Sequence, residues 1–374
     1  MTAVLSSSQR ERRHERLPLR HVDWSLVLFM VALSAVGDVL IYSATHSQSG
    51  TSFLLRQTMF VVIGVAVMLT AAFVDYRHLR DWSTMLYISA VGSLILVLII
   101  GSENNGTKGW FEIGSFTVQP SELAKPIVIL ALAAFVSSRD TVLNLRRIAL
   151  ALGLVGLPMM LILRQPDLGT VMVFAAIAMG MLLVGGARSI HMILLVVGGV
   201  LIVGAVLTSD GLDQYARDRL LSFADPGADP AGASWQQEQA QLAIGSGGLT
   251  GQGLFEGPQT QLQFVPEQQT DFIFVVAGEE LGFVGGAAIL AGWGLLLLRI
   301  FRTAQISRDG FGAMLCAGAI SMFVFQIFQN VGMSTGILPI TGIPLPLISY
   351  GGSSFLASSA TLGLVLNVHM RRFS

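Results

Sequence analysis

The fold class is clearest in residues 168–207, which read LGTVMVFAAIAMGMLLVGGARSIHMILLVVGGVLIVGAVL. This stretch consists of two apolar runs, with Arg188 in the short connection between them. Each run is close to the roughly 20 residues that an α-helix needs to cross a bilayer. Neither run alternates between polar and apolar residues as a membrane-spanning strand does. The stretch therefore predicts two transmembrane helices joined by a short loop.

The rest of the chain repeats this pattern. Of its 374 residues, 53% are hydrophobic and only 12% are charged, whereas soluble domains carry about 25% charged residues. We expect an all-α polytopic membrane protein, because spanning backbone must satisfy its own hydrogen bonds. The ten predicted transmembrane helices cover residues 24–44, 54–74, 83–100, 121–137, 146–163, 167–185, 190–208, 271–298, 311–332 and 350–369.

The placement of arginine predicts the orientation. If the N-terminus is cytoplasmic, most of the 22 Lys and Arg residues fall in inner loops and tails, as the positive-inside rule requires. Both termini are then cytoplasmic, and residues 1–374 form one membrane domain with an Arg-rich inner tail at 1–22. We expect the first apolar run to remain as a transmembrane helix instead of being removed as a signal peptide, because it is long enough to span.

Two connections on the predicted outer side are unusually long. They cover residues 101–120 and, between predicted helices seven and eight, residues 209–270. Loops of that length are usually functional or disordered. In the second connection, Ser234 as N-cap with Gln237 three residues later predicts a capping box and hence a helix.

Several other classes of site are excluded. The segment GSENNGTK lacks the Gly-Lys-Ser/Thr ending of a phosphate-binding loop, and neither a dinucleotide fingerprint nor a Cys/His metal pattern occurs. Cys316 is the only cysteine, so a disulfide within the chain is impossible. The net charge of −1 names no partner, and we expect no binding of nucleic acid.

Charged residues near predicted membrane depth need a reason, because a charge at the bilayer centre costs about 2.5–3.5 kcal/mol. Glu122 and Lys125 share one helix face, and two interpretations stay open: an intrahelical ion pair, or the charged wall of an outward-facing cavity. Arg164 and Asp167 flank a proline, and a turn with Asp167 as helix cap would account for them. Asp38 is interpreted as a satisfied polar residue.

The segment FVPEQQTDFIFVVAGEELG, residues 264–282, carries three acids. Asp271 begins the eighth predicted helix, where a cap carboxylate at the positive helix end would account for it. Glu279 and Glu280 follow deeper in, and helical geometry turns them to different faces. The three carboxylates therefore do not form one cluster, and we interpret the two glutamates as structural.

The outer charged residues nevertheless suggest a chemistry. Cations would hold a phosphate or pyrophosphate leaving group. A carboxylate would take a proton from an attacking hydroxyl, a contribution of about 10²–10⁴-fold. In a membrane protein this combination predicts a lipid-linked phosphate substrate. The residues concerned are Glu122, Lys125, Arg164, Asp167, Arg217, Arg219 and Asp271.

The chain resembles the SEDS family (shape, elongation, division and sporulation), the bacterial peptidoglycan polymerases. The resemblance covers nearly the whole predicted membrane region. It rests on IYSAT at 41–45, QPSELAK at 119–125, QPDLGT at 165–170, AIGSGG at 243–248, FVPEQQTDFIF at 264–274, EELGFVGG at 279–286 and GILPITGIPLPLISYGGSS at 336–354.

The resemblance implies a glycosyltransferase at the outer face of the bacterial cytoplasmic membrane. It would join lipid II units into glycan strands for elongation and release undecaprenyl pyrophosphate. Asp271 would be the general base for the acceptor hydroxyl. Substrate binding would fall to Glu122, Lys125, Arg219 with Arg217 as its alternative, Arg164, Asp167 and Trp110.

The resemblance also implies partners and a possible cofactor. A class B penicillin-binding protein would cross-link the product, and Mg²⁺ or Mn²⁺ would shield the pyrophosphate, although the sequence shows no metal cage. Gln165 and the segment at Asp23 look closer to the RodA branch than to the FtsW branch. The chain departs from the family at Gln269, where many members have His, at Pro258 and at Ala240.

Two other functions remain open at this stage. A flippase for lipid-linked precursors should carry polar groups through the full membrane depth and in repeated halves, and no repeat is evident. The other function is that of a non-enzymatic scaffold in a cell-wall complex.

Overall fold

The computed structural model describes residues 21–104, 107–114, 116–137, 143–208 and 232–372, which form a helical bundle with one small sheet. Arg217, Arg219, most of the tail 1–22 and residues 209–231 of the long connection lie outside these residues. The helices are α1 Trp24–Ser49, α2 Ser52–Phe73, α3 Tyr76–Ile100, α4 Pro120–Val136, α5 Leu145–Leu163, α6 Leu168–Val184, α7 Ser189–Thr208, α8 Ala233–Gly247, α9 Pro258–Gln261, α10 Ile273–Gln305, α11 Gly310–Ser334 and α12 Gly352–Met370.

A helix lies at every predicted apolar segment. Within the described residues, 6 helices are long and apolar enough to cross a membrane, namely α1, α2, α3, α5, α10 and α11. Helix α6 and the first part of α7 are apolar but shorter. These helices indicate a multi-pass membrane protein. The ten-crossing topology and the cytoplasmic location of both termini stay predictions.

Helices α4 and α12 lie at the centre of the bundle. Most of their residues are buried, which is expected of helices that have neighbours on most of their faces. Helix α12 packs against α2 and α4. A Cβ on Gly363 would lie 2.6 Å from the backbone oxygen of Met68 in α2, so glycine allows the two backbones to approach closely.

The connection 101–120 corrects the all-α prediction. It forms a three-stranded antiparallel sheet of β1 Ser102–Asn104, β2 Thr107–Ile113 and β3 Phe116–Val118, in that order. Glu103 pairs with Lys108, and Glu112 pairs with Thr117. The prediction considered only apolar runs. A polar connection of this length instead satisfies its backbone by pairing with itself.

Helix α10 is interrupted at Gly282, whose φ of 67° and ψ of −166° are not helical. The segment after α8 lies against this break. Phe283 N–H donates to the Gly248 oxygen at 2.9 Å, and Gln252 N–H donates to the Glu279 oxygen at 3.0 Å. Irregular backbone in a membrane protein must be satisfied by protein in this way. The pairing ties the connection after α8 to α10.

Helix α8 begins differently from the prediction. Its N-cap is Gly232, and no side chain caps it, so the capping box at Ser234 and Gln237 is wrong. Gln237 instead donates to the Leu338 oxygen at 2.9 Å. A small separate core joins α8 to the start of α10 and to the segment after α11. Its buried members are Ala240, Ala243, Val265, Phe272, Val275 and Ile340.

Candidate active site

A cavity of about 880 Å³ lies where several chain segments end together. Its walls come from α2, the sheet, the first turns of α4 and α6, helix α8, the turn before α10 and the segment between α11 and α12. The charged and aromatic residues of its lining include Arg56, Phe60, Trp110, Phe116, Glu122, Lys125, Asp167, Glu267, Asp271 and Tyr350. Five predicted site residues thus meet in one space: Trp110, Glu122, Lys125, Asp167 and Asp271.

Glu122 and Lys125 satisfy both interpretations that the sequence left open. The Lys125 Nζ donates to Glu122 Oε1 at 2.5 Å, and both side chains are almost fully buried. Both residues also line the cavity. An ammonium group has three N–H donors, so Lys125 has donors beyond the one that Glu122 accepts. The pair is a buried ion pair that forms part of the cavity wall.

Asp167 also has two roles. It is the N-cap of α6, as predicted, and its Oδ1 accepts the Thr170 N–H at 2.9 Å. Its Oδ2 accepts a hydrogen bond from Gln119 at 3.2 Å. Burial raises the pKa of the Asp167 carboxyl above its usual value, although the hydrogen bonds from Thr170 and the charge of Lys125 act in the opposite direction. Asp167 joins the cavity to the start of α6.

Asp271 is not a helix cap, which was one of the two interpretations that the sequence allowed. Helix α10 starts at Ile273 with Phe272 as its N-cap, and no side chain caps it. Asp271 lies in the preceding turn, where its N–H donates to the Glu267 oxygen at 3.1 Å. Its own backbone oxygen accepts the side-chain amide of Asn330 at 2.7 Å. The cap explanation for this carboxylate is therefore wrong, and Asp271 faces the cavity.

Glu279 and Glu280 do not line the cavity. Glu279 is fully buried and accepts three hydrogen bonds, from Gln259 N–H at 2.7 Å, Thr260 N–H at 2.9 Å and the Thr260 hydroxyl at 2.6 Å. Glu280 accepts the Ser43 hydroxyl at 2.5 Å. Both are bound inside the protein, in agreement with the prediction that they are structural.

Sequence reasoning missed one wall of the cavity. The rings of Phe60 and Phe116 lie 6.2 Å apart, and those of Phe60 and Tyr350 lie 6.5 Å apart. Trp110 lines the same cavity. Arg56, near the start of α2, adds an exposed cation that the sequence showed only as a basic residue at an outer helix end. Trp110 was predicted as a site residue, whereas Phe60 carried no signal of its own in an apolar helix, and Phe116 and Tyr350 were not assigned to the site.

Other predicted site residues are not brought to the cavity. Arg164 is exposed at the end of α5 and is not among the residues that line the cavity. Arg217 and Arg219 fall outside the described part of the chain. Their roles in substrate binding stay predictions.

The described residues do not form a protein-built metal cage. In that part of the chain, no group of three His, Cys, Asp or Glu is arranged to hold a metal ion. Of the cavity carboxylates, Glu122 is paired with Lys125 and Asp167 caps α6. A role for Mg²⁺ or Mn²⁺ beside a bound pyrophosphate therefore stays a prediction, and no step is derived through either ion.

Comparisons with known sequences cover almost the whole chain. A family model described as a cell cycle protein, FtsW/RodA/SpoVE, matches residues 22–373. The stage V sporulation protein E of Bacillus subtilis (strain 168) is 38% identical over 92% of this chain and 96% of its own. The peptidoglycan glycosyltransferase MrdB of Escherichia coli (strain K12) is 36% identical over 94% of both chains. The probable peptidoglycan glycosyltransferase FtsW of Geobacter metallireducens is 35% identical over 94% of this chain and 96% of its own.

Comparison with solved structures gives the same result as comparison with sequences. One, described as the structural coordination of polymerization and crosslinking by a peptidoglycan synthase complex, has a TM-score of 0.81 and 33% identity, over 94% of this chain and 99% of that one. The crystal structure of the rod shape determining protein RodA of Thermus thermophilus has a TM-score of 0.72 and 31% identity, over 94% of this chain and 98% of that one. Similarity at this level extends over 94% of the chain.

Proposed function

Because the chain belongs to the FtsW/RodA/SpoVE family, we propose that it is a peptidoglycan glycosyltransferase that polymerises lipid II into glycan strands. It works at the outer face of the cytoplasmic membrane and releases undecaprenyl pyrophosphate. Relatives named as peptidoglycan glycosyltransferases cover the chain almost completely. The observation that carries the proposal is the cavity, whose lining contains both Asp271 and the Glu122–Lys125 pair.

Asp271 acts as the general base. Its position in the turn before α10, instead of at the helix cap, places the residue at the cavity surface. The acceptor sugar hydroxyl transfers its proton to Asp271 as its oxygen attacks the anomeric carbon of the donor. The new glycosidic bond forms while the bond from that carbon to the pyrophosphate breaks. Proton removal of this kind contributes about 10²–10⁴-fold.

Lys125 and Arg56 stabilise the leaving pyrophosphate. Both cations line the cavity, and charge-assisted hydrogen bonds to phosphate oxygens are stronger than neutral ones. Glu122 holds the Lys125 ammonium in place at 2.5 Å. Positive charge arranged before the reaction stabilises charge that develops during it. Arg217 and Arg219 are proposed to add to this set.

The aromatic wall contacts the sugar rings. Phe60, Trp110, Phe116 and Tyr350 present apolar surface beside polar groups such as Gln236 and Thr341. Ligand sites commonly combine apolar walls with a few polar groups that fix orientation. The sugars of lipid II carry both kinds of surface, so this wall orients the donor and acceptor near Asp271.

The partner and the biological setting follow by analogy. A structural neighbour belongs to a peptidoglycan synthase complex that polymerises and crosslinks, which supports a class B penicillin-binding protein as partner. Identities of 38%, 36% and 35% to relatives named SpoVE, MrdB and FtsW do not by themselves select a branch. The RodA-like sequence features at Gln165 and Asp23 favour a role in cell elongation.

The test is polymerisation of lipid II by the purified protein, alone and with a class B penicillin-binding protein. We expect glycan strands from the wild type and none above background from Asp271→Ala, with both proteins folded to the same extent. Normal strands from Asp271→Ala would refute the assignment of the base. Protein-dependent transfer of lipid II across vesicles without polymer would instead favour a flippase, and partner binding without either activity would favour a scaffold.

A further inference from the structure

We infer that Asn330 of α11 is a positioning residue that fixes Asp271 at the cavity wall. The inference rests on the proposed role of Asp271 as general base. Asn330 itself is fully buried and is not part of the cavity lining. It therefore acts through Asp271 and not through substrate.

Asn330 joins two walls of the cavity through one amide group. Its Nδ2 donates to the Asp271 backbone oxygen at 2.7 Å and to the Ile343 backbone oxygen at 2.8 Å. Both Asp271 and Ile343 line the cavity. Only the NH₂ end of the amide can donate to two carbonyl oxygens, so this network fixes the orientation of the side chain.

The burial of this amide carries an energetic cost. The Asn330 Oδ1 is buried and has no hydrogen-bond partner in the described part of the chain. A buried polar atom without a partner costs about 1–3 kcal/mol. An apolar side chain of the same size would avoid that cost but would leave the carbonyls of Asp271 and Ile343 without this donor. What the Asn330 amide adds, and an apolar side chain could not, is the pair of hydrogen bonds that joins the Asp271 and Ile343 carbonyls.

Other contacts hold the same turn but do not replace this link. The N–H groups of Thr270 and Asp271 both donate to the Glu267 oxygen, at 3.2 and 3.1 Å, which closes the turn on itself. Tyr350 N–H donates to the Gln269 oxygen at 2.8 Å. This second tie holds the turn two residues before Asp271. Without Asn330, the backbone of Asp271 loses its side-chain tie to α11.

The consequence for catalysis follows from geometry. A displacement of about 1 Å at a reacting group can lower a rate by about 10²-fold. Loss of the Asn330 amide should move Asp271 relative to Lys125, release the Ile343 carbonyl and leave the remaining cavity walls in place. The chemical step should therefore suffer, while the affinity for substrate should change little.

The neighbouring residue provides a matched control. Gln329 is also buried, and its Nε2 donates to the Pro339 oxygen at 3.0 Å. It ties α11 to the segment that also carries Ile343, and its hydrogen bond does not involve the turn at Asp271. Asn330→Leu and Gln329→Met each remove the amide donors at nearly constant side-chain size.

The experiment measures kcat and KM for lipid II polymerisation, and the midpoint of unfolding, for both variants. We expect Asn330→Leu to lower kcat by about 10–100-fold with KM changed less than about twofold, and Gln329→Met to change both by less than about twofold. Asn330→Ser keeps a single shorter donor, so its kcat should lie between those of Asn330→Leu and the wild type. It also serves if Asn330→Leu does not fold.

Three results would overturn the inference. The first is a kcat for folded Asn330→Leu that equals that of Gln329→Met. The second is a higher KM at unchanged kcat. The third is failure of both Asn330 variants to fold while Gln329→Met folds, which would make the amide a folding element. If Asp271→Asn polymerises normally, the assignment of Asp271 as base fails first, and this failure is distinguished from a failure of the Asn330 inference because it does not involve Asn330.

Discussion

Two carboxylates of one short segment, Asp271 and Glu279, lie eight residues apart and have opposite surroundings. Glu279 is completely buried, and its oxygens accept two backbone N–H groups and one hydroxyl. Asp271 lies before the helix and lines a cavity of about 880 Å³ that also contains Lys125 and Arg56.

This difference in surroundings indicates that Glu279 has a structural role and that Asp271 is available for catalysis. The Glu279 oxygens accept hydrogen bonds from Gln259 and Thr260, so this carboxylate holds α9 against α10. A base must instead present an oxygen where an outside hydroxyl can reach it. Asp271 is distinguished from Glu279 as the candidate base because it lines the cavity, and not because of its position in the segment.

Glu122 does not fit either side of the comparison between Asp271 and Glu279, because it lines the cavity and also forms an ion pair with Lys125. Lys125→Met would leave Glu122 as a buried carboxylate without its cation. We expect the free energy of unfolding to fall by about 3–5 kcal/mol, and polymerisation by the remaining folded protein to fall by about 10²-fold or more. Unfolding in detergent and the rate of glycan synthesis measure the two effects.

The double variant Glu122→Gln/Lys125→Met separates the two roles of the pair. It removes both charges, so most of the lost stability should return. Activity should stay low, because the cation that faces the substrate is still absent. Recovery of activity together with stability would show that the pair is only structural.

Glu279→Gln tests the structural side of the comparison. An amide can accept on its oxygen only, so at least one of the N–H donors at Gln259 and Thr260 loses its acceptor in either orientation. We expect the free energy of unfolding to fall by about 1–3 kcal/mol, and kcat per folded molecule to fall less than about tenfold.

Glu280→Gln is the matched control for this variant. The Phe255 N–H and the Gln261 side chain also interact with its carboxyl, but the closest contact is the Ser43 hydroxyl, which donates to Oε1 at 2.5 Å. A glutamine can keep that bond with its oxygen, so the loss of stability should be smaller than for Glu279→Gln. A larger loss of unfolding free energy for Glu280→Gln than for Glu279→Gln would contradict the prediction that Glu279 contributes more to stability.

Asp167→Asn should have the smallest effect on stability, and its sign depends on pH. Asparagine keeps the cap on Thr170, but it does not titrate. The pKa of Asp167 is raised in the folded protein, mainly by burial. The folded state therefore holds this proton to higher pH than the unfolded state does, and the wild type loses stability as pH rises from about 4, the ordinary Asp value, through the raised pKa.

The unfolding midpoint of Asp167→Asn should therefore match the wild type at low pH and slightly exceed it at neutral pH. Parallel thermal unfolding curves across this range measure the difference. A variant that becomes less stable than the wild type as pH rises would show that Asp167 gains more from Lys125 and Thr170 than it loses on burial.

The helical bundle could be predicted from sequence because long apolar runs have few alternatives in a membrane. The residues at which helices begin were harder to predict. Gly232 caps α8 in place of Ser234, and Phe272 caps α10 in place of Asp271. The sheet at 102–118 was missed because its short polar strands are satisfied by one another and carry no long periodic pattern.

The candidate site was partly accessible from sequence. Glu122, Lys125, Asp167 and Asp271 stood out because charges near membrane depth are costly, and they do meet in one cavity. Arg56 joined them only through the packing of α2 against α12. Asn330 did carry a signal, since the run FQIFQN places three amides in an apolar helix. Its two carbonyl partners could be found only in three dimensions.

The most direct test compares Asp271→Asn with Glu279→Gln in one assay of lipid II polymerisation, with each rate expressed per folded molecule. Both substitutions replace a carboxylate by an amide of nearly the same shape. We predict that Asp271→Asn loses about 10²–10⁴-fold in rate, while Glu279→Gln keeps a rate within about tenfold of the wild type. Equal losses for the two variants, or a larger loss at Glu279, would contradict the assignment of Asp271 as the base.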